Sequence, residues 1–95
     1  MLVKLKEWKC NVIKGKYDNG RLALRLIILN DGSSVATASV NLPDVPIGPG
    51  YVYIKDWSEN EGMLKALVSA GIVEEIGVRT KTGRVMADLC KYVGE

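Results

Sequence analysis

The sequence predicts an α+β domain in which an antiparallel sheet of five or six strands packs one face against a single helix. Short runs of alternating apolar and polar residues recur along the chain, separated by clusters of Asn, Asp, Gly and Pro, which is the pattern of strands joined by turns. Apolar residues at helical spacing occur in one stretch, between positions 59 and 70. A chain of 95 residues has the length of one domain, so residues 1–95 are expected to fold as a single unit.

A first strand is predicted from Lys4 to Lys16. Successive side chains of a strand point to opposite faces, so Trp8, Cys10 and Val12 share one face, while charged or polar residues lie at 7, 9 and 11. Because the shared face is apolar, we expect it to face the core and Trp8 to be buried.

Turn signals divide the next part of the chain into two further strands. Asn19-Gly20 predicts a hairpin, since Asn and Gly tolerate the positive φ of tight turns. The second strand then covers 21–29, with leucine or isoleucine at every second position from 22 to 28. The turn sequence NDGSS, at 30–34, precedes a third strand, 35–42, whose small side chains leave room for a helix above them.

Three more strands are predicted in the second half of the chain. Prolines and glycines at 43–50 end the preceding ladder, and 51–55 is a short fourth strand. The last two strands, 72–80 and 84–92, flank the sequence TKTG, in which Gly83 can supply the positive φ of a hairpin turn.

A helix is predicted over Glu59–Ala70, and its capping explains the acidic residues around its start. Ser58 and Glu61 have the S-x-x-E spacing of a capping box, in which each side chain accepts a hydrogen bond from the backbone N–H of the other residue. Asp56 adds negative charge near the positive end of the helix dipole. Gly71 is expected to end the helix in a left-handed conformation, with the next residue folding back onto it.

The same acidic residues suggest an alternative, a site for Mg²⁺ or Ca²⁺ formed by Asp56, Glu59 and Glu61, because both ions prefer oxygen ligands. Their spacing does not fit an EF-hand loop. The glycines of IGPG and NDGSS likewise match no phosphate-binding pattern. We therefore expect capping here, and neither a metal nor a cofactor.

The composition weighs against an enzyme. The chain contains no histidine, which removes the commonest general base and the commonest ligand for transition metals. The two cysteines, Cys10 and Cys90, match no zinc-binding spacing. They could form one disulfide if their strands are neighbours, but the N-terminal sequence does not resemble a signal peptide, so free buried thiols are expected. No catalytic residue is predicted.

The lysines of the first strand form one candidate binding surface. Lys4, Lys6, Lys9 and Lys14 could contact the phosphates of a nucleic acid, with an aromatic ring nearby for base stacking. Lysines also protect an exposed edge strand from pairing with another chain. This structural role is the simpler explanation, so nucleic-acid binding is kept as the alternative function.

A protein-binding surface is the other candidate. Tyrosine and tryptophan are favoured at interface hot spots, and loops present side chains to a partner. Trp57 has a second interpretation, because it directly precedes the predicted helix cap and could pack there as a hydrophobic staple. The residues expected to contact a partner are Tyr17, Asp18, Asn19, Trp57, Lys81 and Thr82.

The ordered series YDNGRLALRLI, ATASVNLP and SENEGMLKALVSAGIVEEIGVRTKTGRV resembles a family of small uncharacterised proteins carried by phages and other mobile elements of bacteria. In that family an N-G-R-L-A hairpin leads into a V-N-L-P strand, and a capped helix leads to an A-G-I-V segment. The resemblance implies a bacterial or phage setting in the cytoplasm of the host cell. It brings no catalytic residues with it.

Small accessory proteins of mobile elements often act by binding a host protein. The resemblance therefore implies a non-enzymatic protein that binds a host protein stoichiometrically, for example an inhibitor of a bacterial defence system such as an anti-CRISPR protein. The alternative is a nucleic-acid-binding accessory protein that uses the N-terminal lysines. We expect a monomer or homodimer outside the membrane, because no apolar run approaches the ~20 residues of a membrane span.

Overall fold

The computed structural model describes residues 1–94 as an α+β fold, which confirms the predicted class. The elements are β1 (Leu2–Leu5), β2 (Trp8–Lys16), β3 (Leu22–Ile28), β4 (Ser34–Thr37), β5 (Ser39–Val40), β6 (Tyr51–Ile54), a 3₁₀ turn (Ser58–Asn60), α1 (Met63–Ser69), β7 (Val73–Thr82) and β8 (Val85–Tyr92). The strands form two antiparallel sheets of four, a first sheet in the order β1-β2-β3-β4 and a second in the order β5-β6-β8-β7. The prediction of one sheet with five or six strands is therefore wrong.

The predicted first strand is in fact two strands, because the chain reverses at Lys6 and Glu7. Leu5 lies opposite Trp8, and Lys6 between them has a left-handed φ of 55°. The reversal makes β1 an edge of the first sheet and β2 an inner strand. Nothing in the residue pattern marks this turn, since a non-glycine residue takes the positive φ.

The hairpin predicted at Asn19-Gly20 is confirmed and joins β2 to β3. The N–H of Tyr17 donates to the carbonyl of Arg21, and the N–H of Gly20 donates to the carbonyl of Tyr17, both at 2.8 Å. Gly20 has a φ of 84°, whereas Asn19 does not take a positive φ. The loop is therefore a three-residue connection with Gly20 in its left-handed position.

The predicted third strand divides between the two sheets at Ala38. β4 before it belongs to the first sheet and β5 after it belongs to the second. The N–H of Ala38 donates to the carbonyl of Leu24, and the carbonyl of Ala38 accepts from the N–H of Lys55, both at 2.8 Å. One buried residue thus contributes its donor to one sheet and its acceptor to the other, which is how a strand turns a corner between packed sheets.

The hairpin predicted around TKTG is also confirmed and joins β7 to β8. Thr82 lies opposite Val85, and Gly83 between them has a φ of 64°. Glycine with positive φ at the first central position is typical of a type II′ turn. A shift of register between Glu75 and Val78 marks a bulge, which increases the local twist of β7.

The helix begins later than predicted, and the capping box is absent. Ser58 has a φ of 55° and makes no side-chain cap, and its backbone carbonyl accepts from the N–H of Glu61 at 3.1 Å. The helix start at Gly62 is instead capped by Asp56, whose Oδ1 accepts from the N–H of Leu64 at 3.0 Å. Asp56, which was expected only to interact with the helix dipole, thus accepts a hydrogen bond from one of the backbone N–H groups that have no partner within the helix.

The predicted end of the helix is confirmed. Gly71 has a φ of 74°, its N–H donates to the carbonyl of Val68, and the N–H of Ile72 donates to the carbonyl of Leu67, both at 3.0 Å. These are the two hydrogen bonds of a Schellman motif. The helix contacts β1 and β7, so it spans an edge strand of each sheet rather than lying on the face of one.

The core lies between the inward faces of the two sheets, with Met63 and Leu67 of the helix inserted into it. Cys10 and Cys90 are buried in this core as free thiols, as predicted. Trp8 shares the inward face of β2 but is 41% exposed, so the prediction that it is buried is wrong. It occupies the first position of β2, opposite the last residue of β1, where the sheet ends.

Candidate protein-binding surface

An apolar row crosses the outer face of the second sheet, the face that points away from the core. The strand register places Val40, Tyr53, Leu89 and Val78 directly opposite one another on β5, β6, β8 and β7. The neighbouring residues Val52 and Cys90 belong to the core, so the row lies on the other face. We call these four residues the outer row.

The outer row becomes more exposed toward the free edge of the sheet. Tyr53 is 3% exposed, Val40 and Leu89 are half-buried, and Val78 is 47% exposed. Tyr53 is the most buried residue of the row and does not belong to the main core. An apolar surface that starts from a packed centre and ends at an open edge can be extended by a partner.

A hydrogen bond holds the centre of this surface in place. The hydroxyl of Tyr53 lies 2.7 Å from Oγ1 of Thr80. Since β8 separates their two strands, the tyrosine ring must pass over β8, where Ala87 is fully buried opposite Thr80. A buried tyrosine hydroxyl requires a partner, and Thr80 meets that requirement across the sheet.

β7 is the edge strand at the open end of the outer row. It is the last strand in the order of the second sheet, and Ile76 and Val78 on it are 40% and 47% exposed. Met86, on the adjacent β8, is 38% exposed and lies opposite Lys81. β7 also contains charged residues, which discourage such an edge from pairing with the strands of other chains. These are Glu74, Glu75, Arg79 and Lys81.

An ion pair reinforces the opposite face of the same hairpin. Nε of Arg79 lies 3.1 Å from Oδ1 of Asp88, and the two residues are direct cross-strand partners. The Asp88 side chain is 16% exposed and that of Arg79 is 58% exposed. The hairpin therefore has charge pairing on one face and the apolar row on the other.

Two of the residues expected to contact a partner lie on β7, Thr82 on the face of the outer row and Lys81 on the opposite face. Lys81 and Thr82 lie on β7, beyond Thr80, and Lys81 is exposed. Their hairpin carries Val78 and Met86, which sequence reasoning did not select. The available signal was the mixture of apolar and charged residues in EEIGVRTK, which is typical of an edge strand.

The hairpin loop between β2 and β3 contains three more of the expected contact residues. The hydroxyl of Tyr17 lies 2.8 Å from Oγ of Ser39, which is buried, so this tyrosine has a structural contact. The amide of Asn19 donates to Oδ1 of Asn41 at 3.2 Å. Asp18 is exposed. These contacts fasten the loop to the segment that continues from β5.

Trp57 precedes the 3₁₀ turn and is half-buried. Nζ of Lys55 lies 6.0 Å from the centroid of its ring, and the same Nζ lies 3.0 Å from Oε1 of Glu59. The turn that follows is fixed by Asn60, whose amide donates to the carbonyls of Thr37 and Lys55 at 2.7 and 3.2 Å. Trp57 therefore sits on a well-anchored segment, and its role in binding stays a prediction.

The four lysines of the nucleic-acid alternative face three different environments. Lys4 and Lys9 are direct cross-strand partners, and Lys4 alternates with buried residues on β1, so this pair lies on the outside of the first sheet. Nζ of Lys6 donates to the carbonyl of Glu59 at 3.1 Å. Nζ of Lys14 lies 5.0 Å from the centroid of the Tyr92 ring. The structure does not bring the four together.

Two of the acidic residues at 56–61 have separate contacts, and the third, Glu61, is exposed. Asp56 caps the helix, and Glu59 pairs with Lys55. The pKa of the Glu59 carboxyl is lowered, first by a backbone hydrogen bond and then by Lys55. Within residues 1–94, no group of three or more His, Cys, Asp or Glu side chains is arranged to hold a metal ion.

The buried thiols are held in their protonated form. Burial raises the pKa of Cys90 to about 12, with smaller contributions from the negative charges of Asp88 and Glu75. Burial also raises the pKa of Cys10. Because the thiolate is the reactive form, both thiols are expected to be unreactive at neutral pH.

Comparison with protein-family models, curated proteins and solved structures found no match. Within residues 1–94, no helix is long and apolar enough to cross a membrane.

Proposed function

We propose that this chain is a non-enzymatic binding protein that associates stoichiometrically with another protein through the outer row and the free edge of β7. The observation that supports this proposal is the exposed end of the row at Val78, where an apolar side chain lies beside an unpaired strand edge. Binding by strand addition uses both features, since the unpaired backbone groups form hydrogen bonds with the added strand and the side chains beside them give specificity.

The hairpin geometry identifies the backbone groups that a partner strand would pair with. In a two-residue hairpin, the residues that close the turn exchange both hydrogen bonds, and pairs along the ladder then alternate. Thr82 closes the turn with Val85, so the N–H and C=O of Lys81 point away from β8. The same alternation directs the backbone groups of Arg79 outward.

The resemblance to proteins of phages and mobile elements supplies the class of partner. On that basis the partner is a bacterial host protein, and the biological effect is inhibition of a defence system, as anti-CRISPR proteins achieve. The partner would be blocked sterically, in the cytoplasm of the host cell. A strand added along β7 would contact both faces of the hairpin, at Val78 and Thr82 on the face of the outer row and at Lys81 and Met86 on the other, with exposed Ile76 on the same edge strand.

Affinity purification with a matched pair of variants tests the proposal. Val78→Lys places a charge at the exposed end of the outer row, whereas Leu29→Lys makes the same kind of change at an equally exposed site just after β3 of the first sheet, since the two residues are 47% and 48% exposed. We expect one host protein to bind the native chain and the Leu29→Lys variant in a fixed ratio and to be lost from Val78→Lys. Equal binding to both variants would refute the proposed surface.

One observation favours the nucleic-acid alternative. Lys4 and Lys9 face each other across the β1–β2 ladder, and like charges in directly opposed positions destabilise a sheet unless an anion lies over them. Fluorescence anisotropy with labelled single-stranded and duplex DNA tests this function. Binding that weakens steeply with salt and disappears in Lys4→Glu and Lys9→Glu would support it, and absence of binding at low salt would exclude it.

A further inference from the structure

A cleft opens where the β2–β3 hairpin meets the proline- and glycine-rich segment before β6 and the end of β8. Its volume is about 560 Å³, within the range of small-molecule sites. We call it the basic cleft. Its lining includes Lys14, Lys16, Arg21, Ile47, Tyr51 and Tyr92.

The cations of the basic cleft are not neutralised by carboxylates. No Asp or Glu of residues 1–94 lines it, and the two ion pairs of that part of the chain, Lys55–Glu59 and Arg79–Asp88, lie elsewhere. Arg21 donates to the carbonyls of Leu42 and Pro43 at 2.6 and 3.4 Å, so its guanidinium is oriented by neutral acceptors. A guanidinium has five N–H donors, which leaves others for a ligand.

Lys14 and Lys16 add two further positive charges beside Arg21. They are alternate residues of β2 and point to the same face of the first sheet. Nζ of Lys14 lies over the ring of Tyr92 at 5.0 Å, a contact that orients the ammonium and keeps its charge. Three cations that line one cleft, with no carboxylate of residues 1–94 in the lining, favour an anionic ligand, and arginine and lysine are both common phosphate-binding residues.

The remaining lining is aromatic and apolar and is held by the backbone. The N–H of Tyr92 donates to the carbonyl of Gly50 at 2.8 Å, and the N–H of Tyr51 donates to the carbonyl of Gly48 at 3.3 Å. Ile47, Leu22 and Pro49 lie beside these tyrosines. Such a lining suits a flat ring rather than a bare ion, since aromatic side chains stack on nucleobases.

We propose that the basic cleft binds a nucleoside phosphate, either free or as one unit of a single-stranded nucleic acid. Lys14, Lys16 and Arg21 contact the phosphate, and the base lies against the ring of Tyr51. The IGPG sequence takes part through its position, as one wall of the cleft, although it matches no phosphate-binding motif. The site is separate from the outer row and from the Lys4–Lys9 pair.

Titrations followed by the amide signals of the protein in NMR spectra test this proposal. The probes are adenosine 5′-monophosphate, inorganic phosphate and an oligothymidylate. We expect the nucleotide to shift the signals of residues 47–51 and 92, and to bind about tenfold more weakly to Lys16→Glu, which loses a phosphate contact, and to Tyr51→Leu, which loses the stacking surface. Lys65→Glu makes the same charge change at an exposed position of α1, outside the cleft, and is expected to bind normally.

Each outcome decides between the versions of the proposal or overturns it. Tighter binding of the oligothymidylate at the same signals identifies a single strand as the source of the ligand, and tighter binding of the mononucleotide identifies the free nucleotide. Inorganic phosphate that binds as tightly as the nucleotide would refute the role of the tyrosines. Absence of shifts at 47–51 with any probe at millimolar concentration, or equal weakening in Lys65→Glu, would overturn the site.

Discussion

The hydroxyl of Tyr53 and Oγ1 of Thr80 are 2.7 Å apart, although a whole strand lies between the backbones that carry them. This contact fixes the ring of a 3% exposed tyrosine on the outer face of the second sheet. Because Tyr53 is the most buried residue of the outer row, this hydrogen bond helps to fix the geometry of the proposed binding surface.

Thr80→Val is expected to lower the free energy of unfolding by about 1–2 kcal/mol, because it leaves the buried Tyr53 hydroxyl without its partner. Thr82→Val is the control, since it makes the same substitution two residues along the same face of β7, away from the Tyr53 hydroxyl. Urea denaturation measures both. Equal stabilities for the two variants would show that the hydrogen bond contributes nothing.

Turns that rely on glycine were predictable from sequence, and turns that rely on other residues were not. Gly20, Gly71 and Gly83 each take a positive φ at a predicted turn or helix end. The reversal at Lys6 was missed because lysine has no preference for its φ of 55°. The sequence therefore predicted a turn only where the residue with positive φ was a glycine.

The division of the strands into two sheets was not predictable from the alternation of side chains. The sequence of residues 34–40, SVATASV, contains no turn residue at Ala38, and the change of sheet appears only in the hydrogen-bond partners of Ala38, which are Leu24 and Lys55. Those partners are distant in sequence. The outer row could not be predicted for the same reason, since it depends on which strands lie side by side. Val78 can be recognised as a candidate contact residue only once β7 is known to be an edge strand.

The start of the helix offers a direct comparison between the predicted and the observed cap. Asp56→Ala is expected to lower stability by about 1 kcal/mol, because Asp56 accepts the hydrogen bond from the N–H of Leu64. Ser58→Ala is expected to be close to neutral, since the Ser58 side chain caps nothing and both residues have a Cβ atom at the same left-handed φ of 55°.

Thermal and urea unfolding of these two variants distinguish the caps. A capping box would make Ser58→Ala cost about 1 kcal/mol, because the serine hydroxyl would then accept a hydrogen bond from a helix N–H. A loss of stability in Ser58→Ala as large as that in Asp56→Ala would support the predicted box and contradict the observed cap.

Cys90 is expected to make the protein less stable in alkali. Its pKa is about 12 in the folded protein and near its ordinary value of 9.0 in the unfolded chain. The folded state therefore retains the proton over a range in which the unfolded state releases it, so this stabilising contribution is intact below pH 9.0 and is lost as the pH rises toward about 12.

Cys90→Ala isolates this effect from the titration of tyrosines and lysines. The variant is expected to be less stable at neutral pH, because it leaves space in the core, but to lose stability less steeply than the native protein above pH 9.0. Urea denaturation at a series of pH values measures the two slopes. Parallel slopes would show that the thiol does not titrate differently in the folded state.

Two glycines should respond to alanine in opposite directions. Gly83 has a φ of 64°, so Gly83→Ala is expected to cost about 1–2 kcal/mol at the tip of the β7–β8 hairpin. Gly15 lies within β2 without a positive φ, and no atom lies within 4 Å of the place that an added methyl group would take, so Gly15→Ala is expected to stabilise by about 0.4–1 kcal/mol. Thermal unfolding checks both signs, and destabilisation by Gly15→Ala would contradict the open space at β2.

Lys81→Pro separates two ways in which a partner can use the hairpin. The N–H of Lys81 points away from β8, and proline is tolerated at such a position of an edge strand, so the fold is expected to survive. A partner that adds a strand to β7 needs this N–H and is expected to be lost in affinity purification. Retention of the partner by Lys81→Pro, with loss in Val78→Lys, would instead show that it packs on the outer row without pairing to the strand.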